Sequence, residues 1–184
     1  ALANTGNLVL LEEHIADDTI SEVVVDNTQV TDTYETYLVI FTGVQMSSDN
    51  VDLWLNVSSD NGSNYKTSFD RCVPFSLSSD SNNGNVTKKT GTQSVINLTG
   101  NSSTLGNSGR EAVSGQIYLY GLRDSGVDKH FWKHSVYKNT SNNSIFNFGM
   151  NQLNSADVIN NFKVYSSSAS ATFSKGKISI YGIK

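Results

Sequence analysis

Apolar and polar residues alternate along much of the chain, and the alternation is clearest over residues 51–58. The apolar side of this segment consists of Val51, Leu53, Leu55 and Val57, and Trp54 stands on the polar side. Because successive side chains of a strand point to opposite faces, this period of two predicts a β-strand with one buried face. The Asn61-Gly62 pair that follows suits the positive φ angles of a tight turn, so residues 65–73 are expected to be the returning strand of a hairpin.

Two later segments, Gly115–Leu122 and Gly176–Ile183, share one pattern: Gly, any residue, Ile, any residue, aliphatic, Tyr, Gly, aliphatic. Their period of two places the aliphatic residues on one face and the tyrosines Tyr118, Tyr120 and Tyr181 on the other. The glycines permit a sharp turn or the close approach of another strand. We therefore expect both segments to be strands in the middle of a two-layer β fold.

Residues 34–44 are apolar on both faces of a predicted strand. One face is expected to carry Tyr37, Val39 and Phe41, and the other Leu38, Ile40 and Val44. A strand that is covered on both sides lies inside a sheet, so this segment predicts a central strand.

The rest of the chain continues this pattern, including a later strand whose apolar face consists of Phe146, Phe148 and Met150. About ten short strands separated by polar turns, without a sustained helical period, are typical of a sandwich or jelly roll. The sequence therefore predicts an all-β fold, an antiparallel and jelly-roll-like β-sandwich, formed by a single domain over residues 1–184.

The charge, the apolar runs and the cysteine content of the chain argue against several classes of function. Only 16% of the residues are charged, the formal net charge is -4, and Lys and Arg do not cluster, which argues against a nucleic-acid partner. No apolar run approaches the ~20 residues of a membrane-spanning helix, so membrane insertion is not expected. The single cysteine, Cys72, excludes an intrachain disulfide and is expected to be an inert buried thiol. Because the chain begins without Met, we expect it to be processed or to be part of a longer chain.

The aromatic residue with the most suggestive neighbours is Trp132, which shares one face of a predicted strand with His130 and His134. The two histidines would stand ~13 Å apart on a strand, too far to bind one metal ion together. An exposed indole between two imidazoles would suit a polar ligand with apolar patches, such as a sugar. The alternative is that Trp132 belongs to the core, with the histidines at its edge. Trp54 would either anchor a protein interface or be covered by a loop of its own chain.

The acidic residues of the turns invite a comparison with calcium sites. Asp49, Asp52, Asp60 and the Asp17-Asp18 pair offer the oxygen ligands that calcium prefers, but their spacing does not match an EF-hand loop. We expect solvated turn carboxylates, and the sequence predicts no metal site and no cofactor. It also contains no nucleophile elbow, phosphate loop or zinc motif, so no catalytic residue is predicted.

Several of these segments occur in the same order in a known family. They are YETYLVI at 34–40, VDLWL at 51–55 with SDNGSNY at 59–65, the middle strand from Gly115, and the final strand from Gly176. In these segments the chain resembles a large group of virion proteins of tailed bacteriophages, chiefly marine and environmental phages. The likeness extends from about Leu8 to Lys184 and is weakest over residues 76–110.

The resemblance implies a non-enzymatic β-sandwich module of the virion, most often part of a tail fibre or receptor-binding protein, and commonly a homotrimer. Its partners would be further copies of itself, other virion proteins, and a host cell-surface glycan or protein. Its localisation would be the virion, in a tail fibre or on the capsid surface. The polar loops at 78–89 and 99–109 are expected to present the contact surface, because short polar side chains adapt their hydrogen bonds to a partner.

Three alternatives stay open. A capsid decoration or head-fibre protein would dock on the shell through a broad apolar or aromatic patch, around Trp54 or around Tyr118 and Tyr120. A polysaccharide depolymerase would bring two carboxylates together in a groove. A cellular carbohydrate-binding module would expose a flat aromatic platform such as Trp132.

Overall fold

In the computed structural model, every regular element of the described residues is a β-strand. The structure describes residues 7–79, 84–88, 90–100 and 104–184, without the side chains of 71–76, 78–79 and 84–88. Strands β1 to β13 span, in order, Leu8–Ile15, Glu22–Val25, Thr36–Met46, Leu53–Ser58, Phe69–Ser79, Gly84–Lys88, Gly91–Gln93, Ile96–Asn97, Val113–Tyr120, Lys129–Lys138, Ser144–Leu153, Asn161–Ser166 and Phe173–Ile183. The predicted all-β class is confirmed.

The strands form two antiparallel sheets that face each other. The larger sheet has nine strands in the order β1-β13-β3-β9-β10-β11-β5-β6, with β7 also paired to β5, and the smaller sheet has the order β2-β12-β4-β8. The first five strands alternate between the larger and the smaller sheet, so the chain crosses between the layers from its beginning. The predicted antiparallel β-sandwich is thereby confirmed.

Strand β3 lies inside the larger sheet, as its apolar residues on both faces predict, and the two repeated segments flank it. Phe41 of β3 pairs with Gly115 of β9 on one side and with Ile178 of β13 on the other. The two copies are therefore offset by two residues relative to each other. Because strand side chains alternate with a period of two, this offset leaves every side chain on its original face.

The core fills the space between the inner faces of the two sheets. Leu53, Leu55 and Val57 of the smaller sheet are without solvent exposure, as are Ile117 and Leu119 of the larger one. These residues take the inward direction that their alternation predicts. Across the same space the rings of Tyr37 and Phe162 meet edge to face, with their centroids 5.8 Å apart.

One residue of β3 has the opposite orientation to the predicted one. Val44 was expected beside Leu38 and Ile40, but it pairs with Val113, an inner-face residue of β9, and is 1% exposed. The register shifts between Phe41 and Val44, where a β-bulge inserts an extra residue. Such a bulge reverses the alternation beyond it, which explains the error.

The predicted turn after β4 is confirmed, but the predicted hairpin is wrong. Asn61 and Gly62 have φ angles of 59° and 85°, as a tight turn requires. Beyond the turn, the return consists of an isolated bridge between Ser58 and Tyr65. The chain then crosses to the larger sheet, where β5 pairs with β11 instead of β4. Alternation predicts which face of a strand is buried, but not which strand it joins.

Candidate functional site

The principal feature of the surface is the side of the larger sheet turned away from the smaller sheet, which we call the outer face. Its central row follows paired residues across six neighbouring strands: Leu10, Tyr181, Leu38, Tyr118, Trp132 and Met150. All six are apolar or aromatic. One face of an antiparallel sheet is commonly polar because it meets water, so an uncharged row of this width calls for an explanation.

Aromatic rings reinforce this row around Trp132. Its ring lies 5.6 Å from that of Tyr118, 5.4 Å from that of His134 and 5.9 Å from that of Phe148. Tyr118 in turn stacks on Tyr120 at 5.9 Å, with the ring planes within 6° of parallel. Trp132 is therefore held by three ring neighbours on the sheet and remains partly exposed to solvent.

The predicted shared face of His130, Trp132 and His134 is confirmed, and that face is the outer one. His130 is exposed, whereas Trp132 and His134 are partly buried by their neighbours. The alternative in which Trp132 belongs to the core is wrong, because the inner face of β10 is occupied by the other set of alternating residues. That inner set is Lys129, Phe131, Lys133, Ser135 and Tyr137.

Large exposed apolar side chains concentrate on the same face. In the described part of the chain seven of them lie there: Leu8, Leu10, Ile15, Leu77, Tyr120, Val136 and Met150. The two others are Val24, on the smaller sheet, and Val127, in a loop. The exposed fraction reaches 52% at Val136 and 67% at Ile15, so these side chains are uncovered in the isolated chain.

In strand β11 the apolar side lies on the outer face, and the polar side is the buried one. Phe146, Phe148 and Met150 do form the predicted apolar side of a strand, but that side belongs to the outer face. The buried side of the same strand includes Asn147 and Asn151, at 1% and 2% exposure. The interior accepts these polar residues because it offers them hydrogen-bond partners.

Buried polar groups of the larger sheet hold an edge of the smaller sheet. Lys133 is 2% exposed, and its Nζ donates a hydrogen bond to the main-chain carbonyl of Asn97. Ser135 Oγ donates to the carbonyl of Leu98 at 2.6 Å, and Asn147 Nδ2 donates to the same carbonyl at 3.3 Å. These contacts fix β8 and the residue after it against β10 and β11. No local sequence pattern predicts these contacts, because they depend on the pairing of distant segments.

The Asp52 carboxylate completes this network. It accepts hydrogen bonds from Thr99 Oγ1 at 2.7 Å and from Asn97 Nδ2 at 3.1 Å. Burial raises the pKa of Asp52, although these two hydrogen bonds and the positive charge of Lys133 oppose that shift. Asp52 is thus a partly buried, hydrogen-bonded carboxylate and not the solvated turn residue that was expected.

Trp54 lies apart from the other candidate residues. It belongs to the smaller sheet and projects from the side opposite the core, where its ring meets that of Tyr165 edge to face at 5.8 Å. Its buried Nε1 makes no hydrogen bond of normal geometry, but it lies close enough to Asp52 to favour the ionised carboxyl. Tyr165, its partner on β12, covers part of the indole. The structure therefore does not bring Trp54 together with Trp132.

A shallow groove with several acidic residues lies beside the turn after β9. It is lined by Asp32, Tyr34, Glu35, Gly121, Arg123 and Asp124. Arg123 Nε donates to Asp32 Oδ1 at 2.8 Å, and the Asp32 side chain is 80% exposed. Asp32 does not have the sheltered environment of a glycosidase general acid.

Other sequence predictions concern metals, membranes and loops. Among the described residues, no three His, Cys, Asp or Glu side chains are grouped as a metal site would require. Within the same ranges, no helical segment has the length and apolar character required of a membrane span. The Cys72 side chain lies outside the described residues, as do parts of the expected contact loops at 78–89 and 99–109.

Comparisons with known proteins add no neighbour: no family model, no curated protein and no solved structure matches this chain.

Proposed function

We propose that this chain is a non-enzymatic structural module of a tailed-bacteriophage virion, part of a tail fibre or receptor-binding protein. The observation that carries the proposal is the outer face, a broad apolar and aromatic surface on a chain with a formal net charge of -4. Exposed apolar patches of this kind mark surfaces that other molecules cover. The order of the strand motifs, which resembles that of phage virion proteins, is the basis for proposing a virion context.

The form of this surface favours binding over catalysis. Its central residues, among them Tyr118, Trp132 and Met150, lie on neighbouring strands of one sheet and present ring and aliphatic surface. A hydrolase instead gathers carboxylates in a sheltered groove, and the acidic groove near Arg123 has its Asp32 ion-paired and exposed. Aromatic and aliphatic surface is the composition of protein interfaces at their centres.

A capsid decoration or head-fibre protein is the second candidate, and one observation favours it. This alternative requires an aromatic patch around Tyr118 and Tyr120, and those two rings stack on the outer face 5.9 Å apart. Such a protein would use the face to dock on the shell, whereas a tail-fibre module would use it within the fibre.

Localisation on the virion separates these candidates. Intact particles of the phage that encodes this chain would be labelled with a gold-conjugated antibody raised against the purified protein and imaged by electron microscopy. Label at the tail or fibre tips is the expected result, and label over the head would favour decoration and overturn the receptor-binding assignment. The control is the same antibody pre-absorbed with purified protein. Absence of label from the particle would overturn both candidates.

A second assay tests the non-enzymatic part of the proposal. The purified protein would be incubated with the capsular or surface polysaccharide of the host, and the polysaccharide mass would be followed by size-exclusion chromatography. An unchanged mass is expected. A fall in mass that depends on the acidic groove, tested with Glu35→Gln and Asp124→Asn, would identify a depolymerase instead.

A further inference from the structure

We propose that the outer face is buried against another copy of this chain. The inference rests on the proposed function for the role of this surface, and it goes further by naming the partner that covers the surface. It is carried by the exposure, the charge and the size of the face, which are taken in turn below.

The apolar side chains of the outer face are exposed to solvent in the isolated chain, which favours their burial against a partner. Leu8 and Leu10 of β1 are 50% and 51% exposed, and Val136 of β10 is 52% exposed. Leu8 and Leu10 lie on the edge strand β1, and Val136 lies four strands away on β10, so the uncovered apolar surface extends over much of the sheet. Because water is excluded from apolar surface at a gain of roughly 25 cal/mol per Å², covering the whole face is favourable.

The distribution of charge on the outer face is compatible with a second copy of the chain as its partner. The central row from Leu10 to Met150 carries no ionisable acid or base with a full charge. Nearer the edges of the face, Glu13 and Lys177 form an ion pair of 3.1 Å, and Lys138 and Asp70 add one charge of each sign. Two such faces can meet without like-charge repulsion, although the whole chain has a formal net charge of -4. A basic or acidic partner would find little charge here to select it.

The size of the face agrees with what a stable interface between subunits needs. The seven strands from β1 to β5 span roughly 29 Å at the usual strand spacing, and four rows of outward side chains cover roughly 20 Å along them. The projected area is roughly 600 Å², and its accessible area is larger because side chains protrude. A standard interface buries about 800 Å² per partner. Two outer faces can therefore pack like the layers of a sandwich, roughly 10 Å apart.

Matched valines on the two sheets provide the test. Val136 on the outer face is 52% exposed, and Val24 on the smaller sheet is 41% exposed. Sedimentation velocity would measure the mass of the wild-type protein, of Val136→Glu and of Val24→Glu over the same concentration range. Circular dichroism would check that each variant is folded. A charge placed within an apolar interface must lose its water, whereas a charge on a free surface does not.

The wild-type protein and Val24→Glu are expected to sediment as the same oligomer, and Val136→Glu is expected to dissociate at least 10-fold more readily. Met150→Glu, on β11, provides a second outer-face variant should Val136→Glu fail to fold. A wild-type protein that stays monomeric throughout would overturn the inference and leave the face to a different protein or to a glycan. Equal association of Val136→Glu and the wild type would overturn it as well.

The outcome is independent of the virion experiment. An oligomer that is absent from the virion would overturn the proposed function and leave this inference standing. A protein that is found on the virion but is monomeric would overturn this inference and leave the proposed function standing.

Discussion

Trp132 lies directly opposite Tyr118 in the pair of strands β9 and β10, and their rings are 5.6 Å apart on the outer face. Immediately next to Trp132 in sequence, Phe131 points the other way, is without solvent exposure and meets the ring of Phe69 at 5.8 Å. Two consecutive aromatic residues thus have different roles. Phe131 belongs to the core, and Trp132 belongs to the outer face.

This difference predicts unequal effects of truncation. Phe131→Ala is expected to lower the free energy of unfolding by about 3–5 kcal/mol, because it leaves a cavity in the core. Trp132→Ala is expected to cost about 1–2 kcal/mol, since it removes partly buried surface only. Urea denaturation of both variants at low protein concentration measures the costs. Equal losses would mean that Trp132 is a core residue.

A second prediction concerns the buried Lys133. Lys133→Met is expected to destabilise the protein by about 1–3 kcal/mol, because the Asn97 carbonyl loses its hydrogen bond inside the sandwich. The matched control is Lys175→Met on β13, an exposed position, where a change within about 0.5 kcal/mol is expected.

A double-mutant cycle tests the coupling of Lys133 to Asp52. The positive charge of Lys133 favours the ionised Asp52, so Asp52→Asn is expected to cost more in the wild type than in the Lys133→Met background. The free energies of unfolding of the four proteins, measured in urea, give the coupling energy. A coupling energy of zero would show that the two groups act separately.

Because the Tyr37 hydroxyl is buried, the folded protein is expected to become less stable at alkaline pH. Burial raises the pKa of Tyr37 to about 12 from its ordinary value of 10.0, although its hydrogen bond with Thr31 opposes the shift. The unfolded chain therefore loses this proton first as the pH rises, and the folded state becomes less stable from about pH 10 toward pH 12. Stability is unaffected by this group below that window.

Tyr37→Phe should remove this part of the pH dependence. At neutral pH the variant is expected to be less stable by about 1–3 kcal/mol, because the Thr31 N–H loses the acceptor that it now has at 2.8 Å. Thermal unfolding between pH 8 and about pH 12 provides the measurement. Tyr181→Phe on the outer face serves as the control and should retain the wild-type alkaline loss. If Tyr37→Phe retains it too, another group is responsible.

The close packing of the adjacent strand against Gly115 predicts that a single added methyl group would destabilise the protein. A Cβ at this position would lie 2.3 Å from the main-chain oxygen of His134 and 2.7 Å from the Cα of Ser135. Because these are backbone atoms of the adjacent strand, Gly115→Ala must separate β9 from β10 and is expected to cost about 1–3 kcal/mol. Gly126→Ala is the control, since its nearest contact is the Asp124 side chain at 3.2 Å. A melting temperature of Gly115→Ala equal to that of the control would contradict this packing.

The strand character of the chain and much of the alternation between its two faces follow from the amino-acid sequence alone. The aliphatic residues of β4 and the Ile117 and Leu119 pair of β9 face the core as predicted, because the period of two is a property of each strand alone. For the same reason His130, Trp132 and His134 were placed correctly on one face.

Which face of the larger sheet is covered and which segments pair depend instead on contacts between distant parts of the chain. Phe148 is directed outward while Asn147 is buried, because the interior offers Asn147 the Leu98 carbonyl from a distant segment. Likewise, the bulge before Val44 and the passage of β5 into the larger sheet depend on neighbours that no local pattern specifies. Alternation separates two faces of a strand, but it cannot identify the one that a second sheet will cover.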